Sequence, residues 1–230
     1  MTAEDLLNGQ VILIDKPLHW TSFQVVNKLR WAIKKKFNLK KIKVGHAGTL
    51  DPLATGLLII CTGKFTKSID EYQAQEKEYT GTFYLGATTP SFDLETEVNE
   101  HFPTEHINNE LIIKTTEKFM GEIEQIPPIF SAIKKDGKRL YELARAGEST
   151  KIQSRKVTIS EFQITKIKLP IIEFRVKCSK GTYIRSLAND FGEALKSGAY
   201  LASLRRTKIG EFDVKKAKSI DDFLSLINDN

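Results

Sequence analysis

Cysteine is scarce: the 230 residues hold two, Cys61 and Cys178, with no partner spacing between them. Isolated thiols in apolar surroundings read as small buried hydrophobes, so neither a disulfide framework nor a zinc site is supported. Long hydrophobic runs are missing as well. The longest apolar stretch, around Leu57–Cys61, suits a buried strand and is far too short to span a bilayer. The first ten residues, MTAEDLLNGQ, are acidic rather than basic and lead into no apolar segment. That speaks against a signal peptide and makes the cytoplasm the expected compartment. Phosphate-loop patterns are absent, with neither a GxxxxGKS/T run nor GxGxxG, and no serine or cysteine sits in a nucleophile elbow. No repeat, Gly/Ser-rich linker or low-complexity tract divides the chain. What is present suffices for a substantial core, with 40% apolar and 9% aromatic residues.

One further absence is local. From Lys16 to Leu50 there is no Asp or Glu, while nine Lys or Arg occur. The net charge of +6 therefore hides a strong segregation: residues 1–69 carry 11 basic and 4 acidic groups, residues 70–124 carry 3 and 13, and residues 125–216 carry 20 and 9. Basic blocks of this kind suit a cationic face for a polyanion, the footprint of nucleic-acid binding. A solvated helix end within WAIKKKFNLKKIK would read the same way on charge alone.

Strand and helix signals alternate irregularly. QVILID (10–15) reads as a buried strand stopped by Pro17. Thr21 or Ser22 then caps a helix with Phe23, Val26, Leu29 and Ile33 at helical spacing. EYTGTFYLG (78–86) reads as a strand, 87–106 as an acidic polar connection, and 107–120 as a helix. The segment 126–147 joins a proline pair, a short strand, a DG turn and a basic helix. IEFRVKC (172–178) alternates at period two, the signature of a half-buried strand. A helix beginning near Thr182 aligns Ile184, Leu187, Phe191 and Leu195; LRRTKIGEFDV (204–214) reads as a strand and Ser219 caps a final helix. The mixture without strict βαβ alternation is α+β, or a mixed α/β sheet domain.

The densest group of chemically capable residues is GHAGTLDPLATGLL, 45–58. Its glycines permit close backbone approach by a ligand, and Pro52 confines Asp51 to an extended conformation. Between Leu50 and Leu53, Asp51 is either a partly desolvated, aimed carboxylate or one member of an ordinary Asp-Pro turn. His46 is a base, a ligand or a hydrogen-bonded scaffold residue. Tyr79 and Tyr183 suit either core packing or stacking on an unpaired base. Arg185 is a surface cation or the partner that keeps a buried carboxylate ionised.

Taken together these residues resemble the TruB family, bacterial synthases that make pseudouridine at position 55 of tRNA. GHAGTLDPLATGLL resembles the family's catalytic-aspartate motif. ILIDKP (12–17), KEYTGTFYLG (77–86), IPPIFSAIKKDGKRLYELARAG (126–147), CSKGTYIRSLANDFGEAL (178–195) and LRRTKIGEF (204–212) are similar to its other motifs in the same order. The likeness covers about residues 10–215, and ordered motifs are specific where any one is weak.

The resemblance implies a pseudouridine-synthase catalytic fold, α+β, with a mixed, mostly antiparallel central sheet flanked by helices and loops. It implies Asp51 as the catalytic carboxylate, Tyr79 as the residue that stacks on the target base and moves a proton, and Arg185 as the ion-pair partner of Asp51. Lys16, Tyr183 and Leu204 fall at pocket positions, His46 at one that holds the flipped loop nucleotides, and Asp93 at one that contacts substrate. It further implies a single catalytic domain over 1–230 with a basic RNA-clamping insertion at about 126–155. The C-terminal PUA domain of better-known members is not expected, because the chain ends about where that domain would begin. The implied partner is the T-arm stem-loop of tRNA, with no cofactor, no metal and no membrane, and the expected state is a monomer. Isomerisation breaks the N1–C1′ bond and joins C5 to C1′, so no redox step is required. Asp51 attack at C1′, addition at C6 and a glycal route all remain open. The alternatives are a tRNA-folding chaperone without catalysis, an RNA-guided synthase subunit, and a general basic nucleic-acid binder.

Overall fold

The computed structural model describes residues 1–131, 133–135, 137–147 and 152–228. In chain order the elements begin α1 (Ala3–Asn8), β1 (Val11–Lys16), α2 (Ser22–Lys36), β2 (Val44–His46), β3 (Ala54–Thr62), α3 (Ile69–Ala74), β4 (Lys77–Leu85), β5 (Ala87–Thr88) and β6 (Glu100–His101). They continue α4 (Asn109–Thr116), β7 (Gly121–Gln125), β8 (Lys134–Lys135), β9 (Lys138–Arg139), α5 (Leu140–Arg145), β10 (Arg155–Lys168) and β11 (Ile171–Cys178). The last are α6 (Ile184–Ala194), β12 (Ala199–Ile209), β13 (Phe212–Asp213) and α7 (Ile220–Asn228). This is the expected α+β mixture on a mostly antiparallel sheet. The chain divides into two compact units, Met1–Tyr79 with Leu204–Asn230, and Thr80–Ser203.

The first unit is built on β3. Its neighbours β1 and β2 pair with it antiparallel, from Val11 opposite Cys61 and from Val44 opposite Thr62. The end of β12 pairs with it in parallel, Leu204 opposite Ala54 and Arg206 opposite Gly56. Side chains alternate across a strand, and both faces of β3 are covered, which explains an unbroken apolar run. Leu58 and Ile60 face a core completed by α2 and α7, whereas Leu57, Ile59 and Cys61 face Ala47 and Ile209.

Helix α2 starts where a capping box allows: Thr21 Oγ1 accepts from the Gln24 amide, and Gln24 Oε1 accepts from the Thr21 amide. Val25, Val26, Leu29 and Ile33 form its buried face, each worth about 1.5–3 kcal/mol when fully covered. Phe23, expected on that face, is instead 64% exposed. It lies at the rim of the buried stripe, which Ser22 and Val25 complete instead. Ser219 caps α7 as expected, accepting from the Asp222 amide.

In the second unit, β11 turns Ile172, Phe174, Val176 and Cys178 inward, as its period-two pattern requires. Helix α6 buries Ile184, Leu187 and Phe191, Leu195 is buried just after it, and Phe191 joins the same aromatic cluster as Phe174 through Phe83 and Phe162. Phe83 stacks on Phe174 with ring centroids 4.2 Å apart, and Phe162 meets Phe191 edge-on at 5.5 Å. Strands β10 and β11 pair antiparallel, and β10 pairs in turn with β7.

The boundaries of several elements differ from expectation. The strand expected over 204–214 begins earlier, at Ala199, and ends at Ile209; Gly210 and Glu211 make a tight turn into β13. A strand entering from a buried segment has no local start signal. The expected connection 87–106 contains the β5–β6 pair and buried Thr89, Ser91 and Asp93. Strands β7 and β10 were not legible, since exposed Lys and Glu on their outer faces mask the alternation. In the basic segment 126–155 the hairpin β8–β9 and helix α5 form as expected; Asp136 of the DG turn, with residues 132 and 148–151, lies outside the described residues. Both cysteines are buried free thiols. Among the described residues no helix is long and apolar enough to cross a membrane.

Candidate active site

The loop between β2 and β3 carries Asp51, and a side chain and a backbone amide of the first unit hold it on two sides. Ser22, the first residue of α2, clasps the residue before Asp51: its hydroxyl donates to the Leu50 carbonyl at 3.1 Å and accepts from the Leu50 amide at 2.8 Å. The residue after Asp51 is held by the His19 amide, which donates to the Pro52 carbonyl at 2.8 Å. The Ala54 amide closes a turn onto the Asp51 carbonyl at 3.1 Å, and β3 begins there. Asp51 is thus partly buried beside fully packed Leu50, on a backbone anchored on both flanks. The Asp-Pro turn thereby fixes the backbone from which the Asp51 side chain projects.

The parallel pairing of β3 with β12 adds a cation that sequence patterns do not single out. Arg206, 1% exposed, donates from Nε to the Leu57 carbonyl at 2.8 Å and from Nη2 to the Gly48 carbonyl at 2.9 Å. Gly56 makes the approach possible. Its φ is +103°, and a Cβ there would lie 2.3 Å from the Arg206 carbonyl oxygen. No local pattern separates Arg206 from Arg205; the strand register does. Arg205 points elsewhere and forks onto both carboxylate oxygens of Asp15, at 3.0 and 2.6 Å.

Lys16, at the end of β1, is fully buried and donates to the carbonyls of Pro17 at 2.9 Å and Trp20 at 2.6 Å. Burial pushes its ammonium down to about 8, against the attraction of Asp51 and with the repulsion of Arg206. His46, on β2, is held below its ordinary value by burial and by Arg206, and its Nδ1 is buried without a hydrogen-bond partner. An imidazole disfavoured as a cation is neutral at physiological pH and offers an acceptor as well as a donor. Leu204 is half-buried opposite Ala54, at the head of the same pairing. Tyr79 is buried at the start of β4 beside Glu78, whose carboxylate accepts from Thr207 Oγ1 at 2.7 Å, one residue beyond Arg206. Lys16, His46, Asp51 and Leu204 therefore share one loop-and-strand neighbourhood around Arg206, and Tyr79 belongs to the same unit.

The remaining expected residues lie in the second unit. Arg185, in the first turn of α6, is buried rather than a surface cation; its Nε is 3.6 Å from Asp93 Oδ2, and its Nη1 donates to the Ser91 carbonyl at 3.4 Å. Asp93 is buried too and accepts from Ser91 Oγ at 2.6 Å and from the Glu95 amide at 3.0 Å. Tyr183 precedes α6 and is fixed by Gln125, which accepts from the Tyr183 amide at 2.7 Å and donates to its carbonyl at 3.0 Å. The Arg155 guanidinium lies over the Tyr183 ring, 4.4 Å from its centroid. Gln125 and Arg155 do not stand out in the sequence, because their partners are more than twenty residues away.

Comparisons with known proteins agree with this picture. The family model described as TruB family pseudouridylate synthase, N-terminal domain, matches residues 34–184; that described as tRNA pseudouridylate synthase B C-terminal domain matches residues 185–230. A tRNA pseudouridine synthase B of Flavobacterium johnsoniae is 69% identical over 224 residues, covering 97% of this chain and 98% of that protein. One of Chlorobaculum tepidum is 46% identical over 214 residues, covering 93% and 88%. Among solved structures, a Cbf5-Nop10-Gar1 complex contains a chain 30% identical with a TM-score of 0.71, matched over 98% of this chain and 56% of that one. The fold is that of a pseudouridylate synthase. The chain belongs to the TruB family.

Proposed function

We propose that this chain is a tRNA pseudouridine synthase that isomerises the uridine at position 55 of the T-loop, working as a monomer in the cytoplasm. The observation that carries the reading is the anchoring of Asp51, flanked by the Ser22 clasp on Leu50 and the His19 bond to Pro52. A carboxylate whose backbone is fixed on both sides meets its substrate without reorganising. Near-full-length identity to proteins named tRNA pseudouridine synthase B supplies the substrate.

The target base lies inside a folded loop, so it must be extruded at an unstacking cost of a few kcal/mol. Basic residues and stacking aromatics offset that cost. Asp51 acts on the extruded nucleotide as the N1–C1′ bond breaks and C5 joins C1′. N1 gains a proton and C5 loses one, with Tyr79 as the group that takes the C5 proton. Arg185 has the family's role of counter-charge to the catalytic carboxylate, and Tyr183, Leu204 and Lys16 line the pocket. His46 holds the loop nucleotides, Asp93 contacts substrate, and the basic segment 126–155 clamps the T-arm.

The test is direct. The purified chain is incubated with an unmodified tRNA transcript, and pseudouridine is mapped by carbodiimide treatment and primer extension. One new stop reporting position 55, lost in Asp51→Asn while tRNA binding persists, is the expected result. Normal turnover by Asp51→Asn would remove the catalytic assignment. Tight tRNA binding without pseudouridine would favour a folding chaperone or a guided subunit.

A further inference from the structure

The C-terminal half of α2 and the segment after it form a concave surface with an unusual lining. Asn27, Arg30, Trp31 and Lys34 from the helix and Lys40, Lys41 and Ile42 beyond it line an open, solvent-facing cavity of about 480 Å³. Trp31 is 59% exposed, and Lys35 lies over its ring, 5.0 Å from the centroid. Arg30 is oriented by a hydrogen bond to Asn27 Oδ1.

Two features separate this surface from an ordinary solvated helix end. Lysines in a last turn complement the helix dipole, which accounts for Lys34, Lys35 and Lys36 but not for Lys40, Lys41 and Lys43. None of the residues lining the cavity is acidic, so its cations are not neutralised within the lining and an anion is the complement they lack. An indole left in water on the same wall adds a flat apolar face beside the cations. A nucleotide carries both complements, a phosphate for the lysines and a planar base for the ring.

We infer that this cavity is a second RNA-binding site, which takes one unpaired nucleotide of the tRNA outside the Asp51 site, its phosphate among Lys34, Lys40 and Lys41 and its base against Trp31. The inference takes the identity of the polyanion from the proposed tRNA reading. The two sites are distinct along α2. Ser22 holds Leu50 at the helix start, whereas Trp31 stands nine residues on, about 13 Å along the axis at ~1.5 Å per residue.

The experiment uses the full chain, a complete tRNA transcript, an isolated T-arm stem-loop and a single-stranded oligoadenylate. Trp31→Ala and the double variant Lys34→Ala/Lys41→Ala should weaken binding of the complete tRNA about tenfold, the worth of one stacked base. Conversion of the isolated stem-loop should keep its kcat and KM. The salt dependence of tRNA binding should flatten in the lysine variant, by about one unit of slope for each phosphate that is no longer neutralised. In a Trp20→Phe background Trp31 is the sole tryptophan, and oligoadenylate should quench its fluorescence saturably and less at high salt. Unchanged tRNA affinity in both variants, or no quenching, overturns the inference. Equal losses on tRNA and stem-loop overturn it as well, because the surface would then belong to the Asp51 site. The parent's conversion of the stem-loop reports separately on the tRNA reading, and the oligoadenylate signal does not depend on it.

Discussion

Arg206 donates from Nη2 to the Gly48 carbonyl at 2.9 Å, tying the end of β12 to the loop that carries Asp51. Its Nε holds Leu57 on the far side of that loop. One buried guanidinium therefore spans the residues before and after the catalytic candidate, and the shape of the loop depends on a side chain 155 positions away in sequence.

Arg206→Met should expose this dependence. It leaves two buried carbonyls without their donor, at a cost of about 1–3 kcal/mol each. A total near 3 kcal/mol corresponds to a melting temperature lower by about 10 °C in a chain of this size. Turnover should fall with it although Asp51 is retained. Arg206→Lys should not restore either property, because an ammonium lacks the planar fork that reaches both carbonyls. Differential scanning calorimetry and the primer-extension assay check the two effects.

Gly56 and Gly48 should respond differently to alanine. At Gly56 the added Cβ would meet the Arg206 carbonyl at 2.3 Å with φ at +103°, so backbone must move and Gly56→Ala should lose most soluble protein. At Gly48 the nearest atom is Arg206 Nη1 at 3.5 Å, an ordinary separation, and only the left-handed φ of +98° opposes substitution. Gly48→Ala should therefore fold with a deficit of about 1–2 kcal/mol. Soluble yield and urea midpoints distinguish the two.

Lys16 predicts a pH effect on stability. Its folded value, about 8, lies below the ordinary 10.5 because burial disfavours the charge. Between those values the unfolded chain binds more protons than the folded one, so stability from this group rises with pH across the window. Below about 8 both states are protonated and the cost of the buried ammonium is fully present. Urea midpoints of the parent relative to Lys16→Met should therefore improve between about pH 7.5 and about pH 10. A constant difference over that range would contradict the assignment.

Asp93 and Asp51 should behave in opposite ways when amidated. Asp93 is buried against Arg185 and accepts from Ser91 and Glu95, so Asp93→Asn weakens the charge balance of an interior site and should cost about 3 kcal/mol. Asp51 is only partly buried, and Asp51→Asn should melt near the parent while losing turnover. Thermal melting alongside the isomerisation assay separates the loss of stability at Asp93 from the loss of turnover at Asp51.

Much of this architecture is legible in the sequence. The Thr21–Gln24 cap, the apolar run of β3, the alternation of β11 and the buried face of α6 are local patterns, and local geometry sets their periods. The motif around Asp51 is legible for the same reason, since glycines, a proline and an aspartate in one loop have few structural solutions. Phe23 shows the limit of such patterns. Its spacing suits the buried face of α2, yet Val25 occupies that face and Phe23 stands in solvent.

The sequence by itself determined the locally patterned elements, the loop motif around Asp51 and the concentration of cations in its first fifty residues, all properties of neighbouring residues and their chemistry. Tertiary structure alone decided which of two adjacent arginines turns inward. Parallel register sets Arg206 opposite Gly56, where a missing Cβ admits its backbone, and turns Arg205 to Asp15. It likewise decided that Gln125 would clasp Tyr183 and that Trp31 would share a cavity wall with Lys40 and Lys41. Register and packing join residues distant along the chain, and no local periodicity carries that information.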